Sequence, residues 1–208
     1  MTDRSSADPP ADPRIEVVAR SAPYQGFYRV EAYRLRYRRF DDTWSGVMAR
    51  EVFVRPAAAA VIPYDPARDT VVLIEQFRIG AYVAGVEPWL VEVVAGIIEP
   101  GETPEDVARR EAVEEAGCQI LALEPIGRIL PSPGADSELL HLYCGRIDSS
   151  GIGDLHGVDH EHEDIRASVL PFADAYNRVT QAGVTNANAL IALQWLALNR
   201  DRLRRQWR

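Results

Sequence analysis

The sequence predicts a mixed α/β (α+β) fold, with a sheet covered by helices on both sides. Three observations carry that prediction. Residues 57–61 and 70–76 are apolar runs of strand length, and Val71-Val72-Leu73-Ile74 offers no polar face, so both sides of that strand must be buried. The spacing then changes to a helical period in 172–182, ended by Gly183, and in 188–207. Long helices following mixed strands supply the covering layers. At 208 residues, 47% hydrophobic and 26% charged, the chain suffices for one full core and an appendage.

Taken in order, residues 1–14 are polar and Pro-rich, which predicts a disordered tail rather than a signal peptide. Residues 15–55 read as a β arm. A short strand is expected at 15–18, then a longer one at 27–40 in which Tyr33-Arg34-Leu35-Arg36-Tyr37-Arg38 alternates apolar and basic residues. A turn at 41–46 returns the chain into 50–55. Between positions 27 and 55, Arg29, Arg34, Arg36, Arg38, Arg39, Arg50 and Arg55 face Glu31, Asp41, Asp42 and Glu51, a local balance of +3. The ordinary reading of this alternation is a solvated strand face; the functional one is an arm presenting arginine and aromatic groups to an anionic nucleotide.

Residues 56–208 form the second domain. After the strand at 57–61, a turn is expected at Pro63-Tyr64-Asp65-Pro66, and Arg78 follows the buried strand 70–76. A loop at 81–88 leads to a strand at 89–95, then a Gly96 turn. Strands follow at 120–130, 139–147 and 165–170, with loops at 131–136 and 149–164 between them. In the last helix Ile191, Trp195 and Leu198 share a face. Three of the four histidines, His156, His160 and His162, lie in the polar stretch 149–164, without the spacing of a preformed zinc site.

Net charge −8 counts against nucleic-acid and anionic-membrane partners, and no apolar run reaches membrane-spanning length. Lysine is absent, so every basic side chain is an arginine, suited to bidentate phosphate contacts. Cys118 and Cys144 show no metal or redox spacing, the pattern of reduced thiols in a cytoplasmic protein.

The chemistry concentrates between Gly96 and Cys118. Thr103 can cap a helix, Pro104 suits its first position, Asp106 can return the capping bond, and Gly117 can end it. Glu111, Glu114 and Glu115 stand three and four residues apart and so share a face. Like charges so placed repel. Arg110 cannot serve all three, whereas a divalent cation such as Mg2+ suits hard oxygen ligands on a rigid helix and also binds substrate phosphates. Glu102 can add a carboxylate from the side.

This stretch resembles the Nudix box, Gly-x5-Glu-x7-Arg-Glu-U-x-Glu-Glu-x-Gly-U with U apolar. Gly96, Glu102, Arg110, Glu111, Glu114, Glu115 and Gly117 fill its fixed positions; Ala112 and Cys118 fill the two apolar ones. From about Gly26 onward the chain resembles bacterial ADP-ribose pyrophosphatases. The shared stretches are Leu73-Ile74-Glu75-Gln76-Phe77-Arg78, Ser132-Pro133-Gly134, Glu161-His162-Glu163-Asp164-Ile165 and Ile191-Ala192-Leu193-Gln194-Trp195-Leu196.

The resemblance implies a Nudix α/β/α sandwich with a mixed sheet, and an antiparallel arm that mediates a swapped homodimer. It implies hydrolysis of ADP-ribose to AMP and ribose 5-phosphate with two or three Mg2+ per site, for which Mn2+ can substitute. Metal ligands carried over are the Ala95 carbonyl, Glu111, Glu115 and Glu163. The catalytic group is Glu161 as general base, with Glu114, Glu115 and Arg110. Substrate contacts fall to Phe27, Tyr28, Arg50, Glu51 and Arg55 on the arm, and to Arg78, Ile97, Ser132, Pro133, Gly134 and Glu138. GDP-mannose or another nucleotide sugar is the alternative substrate. A non-catalytic ligand sensor is the alternative of another class, against which the intact carboxylates stand. An RNA-processing hydrolase would need a basic surface.

Overall fold

A computed structural model describes residues 9–152, 155–156, 164–183 and 185–207. The chain divides into two compact units, one of residues up to Ala57 with Leu130–Leu139, the other of Ala58–Ile129 with Leu140 onward. The segment Leu130–Leu139, which the sequence division places with the second domain, thus belongs to the arm unit.

The arm unit is a three-stranded antiparallel sheet of β1 (Ile15–Gln25), β2 (Arg29–Tyr37) and β3 (Met48–Val54), in that order. β1 is longer than the expected strand at 15–18. It pairs with β2 as far as Gln25 because two register shifts, one between Ser21 and Tyr24, let Pro23 sit on an edge strand. Residues 12–14 precede it as a turn, in which the Ile15 amide donates to the Asp12 carbonyl at 2.9 Å. The segment after Ser132 joins this sheet: the Phe53 amide donates to the Ala135 carbonyl at 2.7 Å and the Ser137 amide to the Phe53 carbonyl at 3.2 Å.

The second unit is built on β4 (Ala58–Asp65), whose eight residues are all buried. β5 (Thr70–Phe77), β6 (Trp89–Glu92), β7 (Val94–Ile97), β8 (Ala122–Ile129), β9 (Leu140–Arg146), β10 (Leu155–His156) and β11 (Ile165–Pro171) complete the sheet. Its order is β10-β11-β5-β4-β9-β8, with β6 on β5 and β7 on β4. β4 and β9 run parallel and the other pairs antiparallel, so the sheet is mixed.

Alternation through the buried strands sorts side chains between two apolar layers. Ala58, Ala60, Ile62 and Tyr64 of β4, with Val71 and Leu73 of β5, pack against α3 (Phe172–Thr180) and α4 (Ala187–Gln206). Ala59 and Val61, with Val72 and Ile74, pack against Val107, Ala108 and Ala112 of α2 (Pro104–Glu114). The predicted sheet between helical layers is therefore present, as a mixed α+β architecture.

Three local expectations are corrected. The turn expected at 63–66 lies after Asp65, and β4 runs through Pro63. Pro63 falls where β7 pairing has ended at Val61 and β5 pairing begins at Tyr64, so its missing N–H interrupts no antiparallel ladder. The expected loop at 81–88 begins inside a five-residue helix, α1 (Ile79–Val83), too short to show a period in sequence. On α4 the buried stripe is Ala189, Ala192, Leu193, Leu196 and Leu203; Ile191 and Trp195 pack at its margin and Leu198 is 87% exposed. Cys118 and Cys144 are both buried free thiols.

Candidate active site

The box helix begins as its sequence dictates. Thr103 Oγ1 accepts from the Asp106 amide at 3.2 Å, Asp106 Oδ2 accepts from the Thr103 amide at 3.2 Å, and Pro104 takes the first helical position. At the other end Gly117 has φ 59°, and the Cys118 amide reaches back to the Ala112 carbonyl at 2.8 Å. Val107, Ala108 and Ala112 bury one side of α2, which fixes the rotation of the rest.

That rotation carries two carboxylates to β7. Glu115 is 3% exposed; its Oε2 accepts from the Ala95 amide at 3.0 Å, and Oε1 lies 3.5 Å from Gln76 Nε2 on β5. Glu111 lies so near Gly96 that an added Cβ would fall 1.8 Å from its Oε1. Glu111 and Glu115 thus converge on the Ala95–Gly96 backbone. Glu114 turns away and is partly exposed.

Arg110 gathers the carboxylates that do not face β7 alone. Its Nη1 donates to Glu111 Oε1 at 2.7 Å and to Glu114 Oε2 at 3.1 Å, while Nε and Nη2 meet Glu102 at 3.0 and 3.3 Å. It serves Glu102, Glu111 and Glu114 together. The Glu102 bond holds the guanidinium charged well above its ordinary range, and Arg110, with the Glu99 amide, holds the Glu102 carboxyl below the usual range.

Arg78 follows β5, its amide bonded to the Pro88 carbonyl at 2.8 Å. Its Nε and Nη2 donate to Glu92 Oε2 at 3.0 and 2.7 Å. Ile97, on β7, pairs with Ala58.

The arm unit assembles the other predicted contacts. Phe27 and Tyr28 pack edge to face at 4.7 Å, and Tyr28 meets Phe53 at 5.1 Å. The Arg55 guanidinium lies 5.5 Å from the Tyr28 ring centre and pairs with Glu138 at 2.9 Å and Asp136 at 3.7 Å. Ser132, Pro133 and Gly134 are exposed in the same unit, where the Asp136 amide bonds to the Ser132 carbonyl at 2.9 Å. Arg50 and Glu51 are exposed on β3, opposite Tyr33 and Ala32 and outside this aromatic cluster. Glu161 and Glu163 lie outside the described residues.

A family model for the NUDIX domain matches residues 54–193. The chain belongs to the Nudix hydrolase family. The ADP-ribose pyrophosphatase of Escherichia coli strain K12 is 45% identical over 193 residues, covering 93% of this chain and 92% of that protein. The ADP-ribose pyrophosphatase of Haemophilus influenzae is 40% identical, with 93% and 91% covered. The GDP-mannose pyrophosphatase of Cronobacter sakazakii is 36% identical, with 72% and 78% covered. A crystal structure of an ADP compounds hydrolase shares the fold, with TM-score 0.67, 20% identity, and 95% of this chain and 98% of that one covered.

Nudix hydrolases generally use divalent metal ions. Among the described residues no three or more His, Cys, Asp or Glu side chains are gathered as a metal site. The donor chemistry nonetheless fits a hard cation: two carboxylates four residues apart converge on one backbone segment, where an added Cβ at Gly96 would displace Glu111. Sequence reasoning gave no role to Gln76, Glu92, Phe53 or Asp136. Glu92 alone left a signal, as the one acid inside the apolar stretch 89–95.

Proposed function

We propose that this Nudix hydrolase cleaves the pyrophosphate bond of ADP-ribose, giving AMP and ribose 5-phosphate, with Mg2+ as its metal. The observation that carries the reading is the similarity to ADP-ribose pyrophosphatases along nearly the whole chain, arm included. A reaction class alone would need only the box.

A pyrophosphate repels hydroxide, so its charge must be neutralised and the nucleophile generated near neutral pH. Two or three Mg2+, held by Glu111, Glu115, the Ala95 carbonyl and Glu163, would supply both, with Mn2+ a substitute. The remaining work falls to the chain. Arg110 holds Glu111 and Glu114 aimed, and the Ala95 amide fixes Glu115. Glu161 accepts the proton of the attacking water on a carboxylate oxygen. Arg78 and Arg55 neutralise diphosphate oxygens.

In the same reading Phe27 and Tyr28 offer aromatic faces to adenine, and Arg50 and Glu51, elsewhere on the arm, also contact the adenosine. Ile97, Ser132, Pro133 and Gly134 line the substrate's path, and Glu138 meets the terminal ribose. The arm of each chain completes the partner's site in a homodimer, and the enzyme works in the cytoplasm. The second reading, GDP-mannose as substrate, is favoured by the similarity to GDP-mannose pyrophosphatases.

The test is ion-pair chromatography of products after purified protein meets ADP-ribose or GDP-mannose, with and without Mg2+. Rapid, metal-dependent release of AMP is expected. Preferential release of GMP would keep the mechanism and overturn the substrate. A folded protein that binds nucleotide and releases neither would make it a sensor.

A further inference from the structure

Glu92 is a buried carboxylate, 3% exposed, in a strand otherwise built of apolar residues. It stands at the end of β6, where the chain leaves its pairing with β5 (Glu92 opposite Ile74) and, two residues later, begins pairing with β4 (Val94 opposite Val61). A carboxylate so placed costs stability unless its oxygens are bonded. Both are. Oε2 takes two bonds from Arg78, and Oε1 takes one from Asn186 Nδ2 at 2.9 Å.

Each partner is fixed a second time. The Arg78 backbone is held by the Pro88 carbonyl, and the Arg78 carbonyl accepts from the Ala81 and Tyr82 amides at 3.1 and 3.2 Å. Asn186 is the N-cap of α4, its Oδ1 accepting from the Ala189 amide at 3.0 Å. A single asparagine therefore closes the first turn of the last helix with its oxygen and steadies Glu92 with its nitrogen. The Arg78 side chain is 43% exposed, against a buried Glu92 carboxylate. An arginine held by two bonds on one edge keeps its plane and position before substrate arrives.

We propose that Glu92 is a positioning residue for turnover, acting through Arg78, and that Asn186 makes the start of α4 part of the same support. The inference rests on the reading that Arg78 meets the substrate diphosphate. Glu92 touches no reacting atom. Its contribution is to spare the enzyme the cost of ordering Arg78 at each catalytic cycle, an effect largest at the transition state, where charge and alignment matter most.

The experiment is a double-mutant cycle on kcat/KM for ADP-ribose hydrolysis, with thermal unfolding of every variant. Arg78→Ala is expected to lose about a hundredfold or more. Glu92→Gln keeps the shape but loses the charge that aims Arg78, and is expected to lose about tenfold to a hundredfold, mainly in kcat. In the Arg78→Ala background the same change should cost less than about threefold, because its effect passes through the arginine.

Asn186→Ser keeps a capping oxygen and removes the amide donor. It should reproduce a smaller loss that also disappears with Arg78→Ala, and it carries the test should Glu92→Gln fail to fold. Independent, multiplying losses would make Glu92 merely structural and overturn the proposal. So would full activity of a folded Glu92→Gln or, where that variant does not fold, of Asn186→Ser. Full activity of Arg78→Ala would instead remove the substrate contact on which the inference rests.

Discussion

At Gly96 any side chain would meet a carboxylate, since an added Cβ falls 1.8 Å from Glu111 Oε1. The backbone there needs no positive φ, so the glycine answers to proximity rather than to chain conformation. The nearest atoms are the far end of a side chain on a helix surface, which can swing. Gly96→Ala is therefore expected to fold, with stability lowered by about 1 kcal/mol, while kcat falls about tenfold to a hundredfold because Glu111 is pushed off its aim. Urea unfolding beside steady-state kinetics separates the two effects. Glu115→Gln asks the complementary question. An amide keeps the oxygen that accepts from the Ala95 amide but removes the charge, so turnover should fall by about a hundredfold or more with little change in unfolding temperature. Wild-type turnover in the folded variant would end the metal-ligand assignment.

Two elements depend on identifiable end contacts. The capping box at Thr103 starts the helix that carries Glu111 and Glu115, and Thr103→Ala should cost about 1 kcal/mol in denaturant unfolding. At the far end of β4, Asp65 is 1% exposed and accepts from the Ala67, Arg68 and Ser149 amides, the Arg68 guanidinium and the Ser149 hydroxyl. Burial pushes its carboxyl up, but those bonds outweigh it and hold the group well below the ordinary value of 3.8. A depressed carboxyl stabilises the fold fully above the unfolded value and loses that contribution as pH falls through the folded one. Asp65→Asn is expected to cost about 1–3 kcal/mol at neutral pH. Its deficit against the wild type should shrink only below about pH 4, in unfolding curves taken between pH 7 and pH 2. A deficit constant with pH would show that the charge plays no part.

For the whole molecule, the arm sheet raises a question of partnership. Every residue of β1 is exposed, among them Ile15, Val17 and Val18 at about half and Tyr24 at 60%. A strand with this much uncovered apolar surface is expected to be covered by a second copy. Sedimentation equilibrium should give twice the chain mass of 23.2 kDa, and a single-chain mass at assay concentration would remove the shared-site reading. Chelation with EDTA should abolish hydrolysis and added Mg2+ restore it, with the secondary structure measured by circular dichroism unchanged, since the α2 cap and both apolar layers are built of contacts between protein groups.

The box helix, its cap and its glycine stop were readable in the sequence because each is a local signal at fixed spacing, and the doubly apolar strand at 71–74 was readable because burial on both faces leaves no polar position. Only the tertiary structure decided which carboxylates face β7 and which face Arg110. That depends on the rotation of α2, set by Val107, Ala108 and Ala112 against strands distant in sequence. The same holds for Glu92: its two partners come from positions 78 and 186, and no window of sequence contains them. Pro63 read as a turn because its missing N–H argues against a central strand, and only the gap between two partner strands made room for it. Patterns repeated along one element are written in the chain; the pairing of a buried charge with its partners is decided by packing, where the cost of leaving that charge unbonded selects the arrangement.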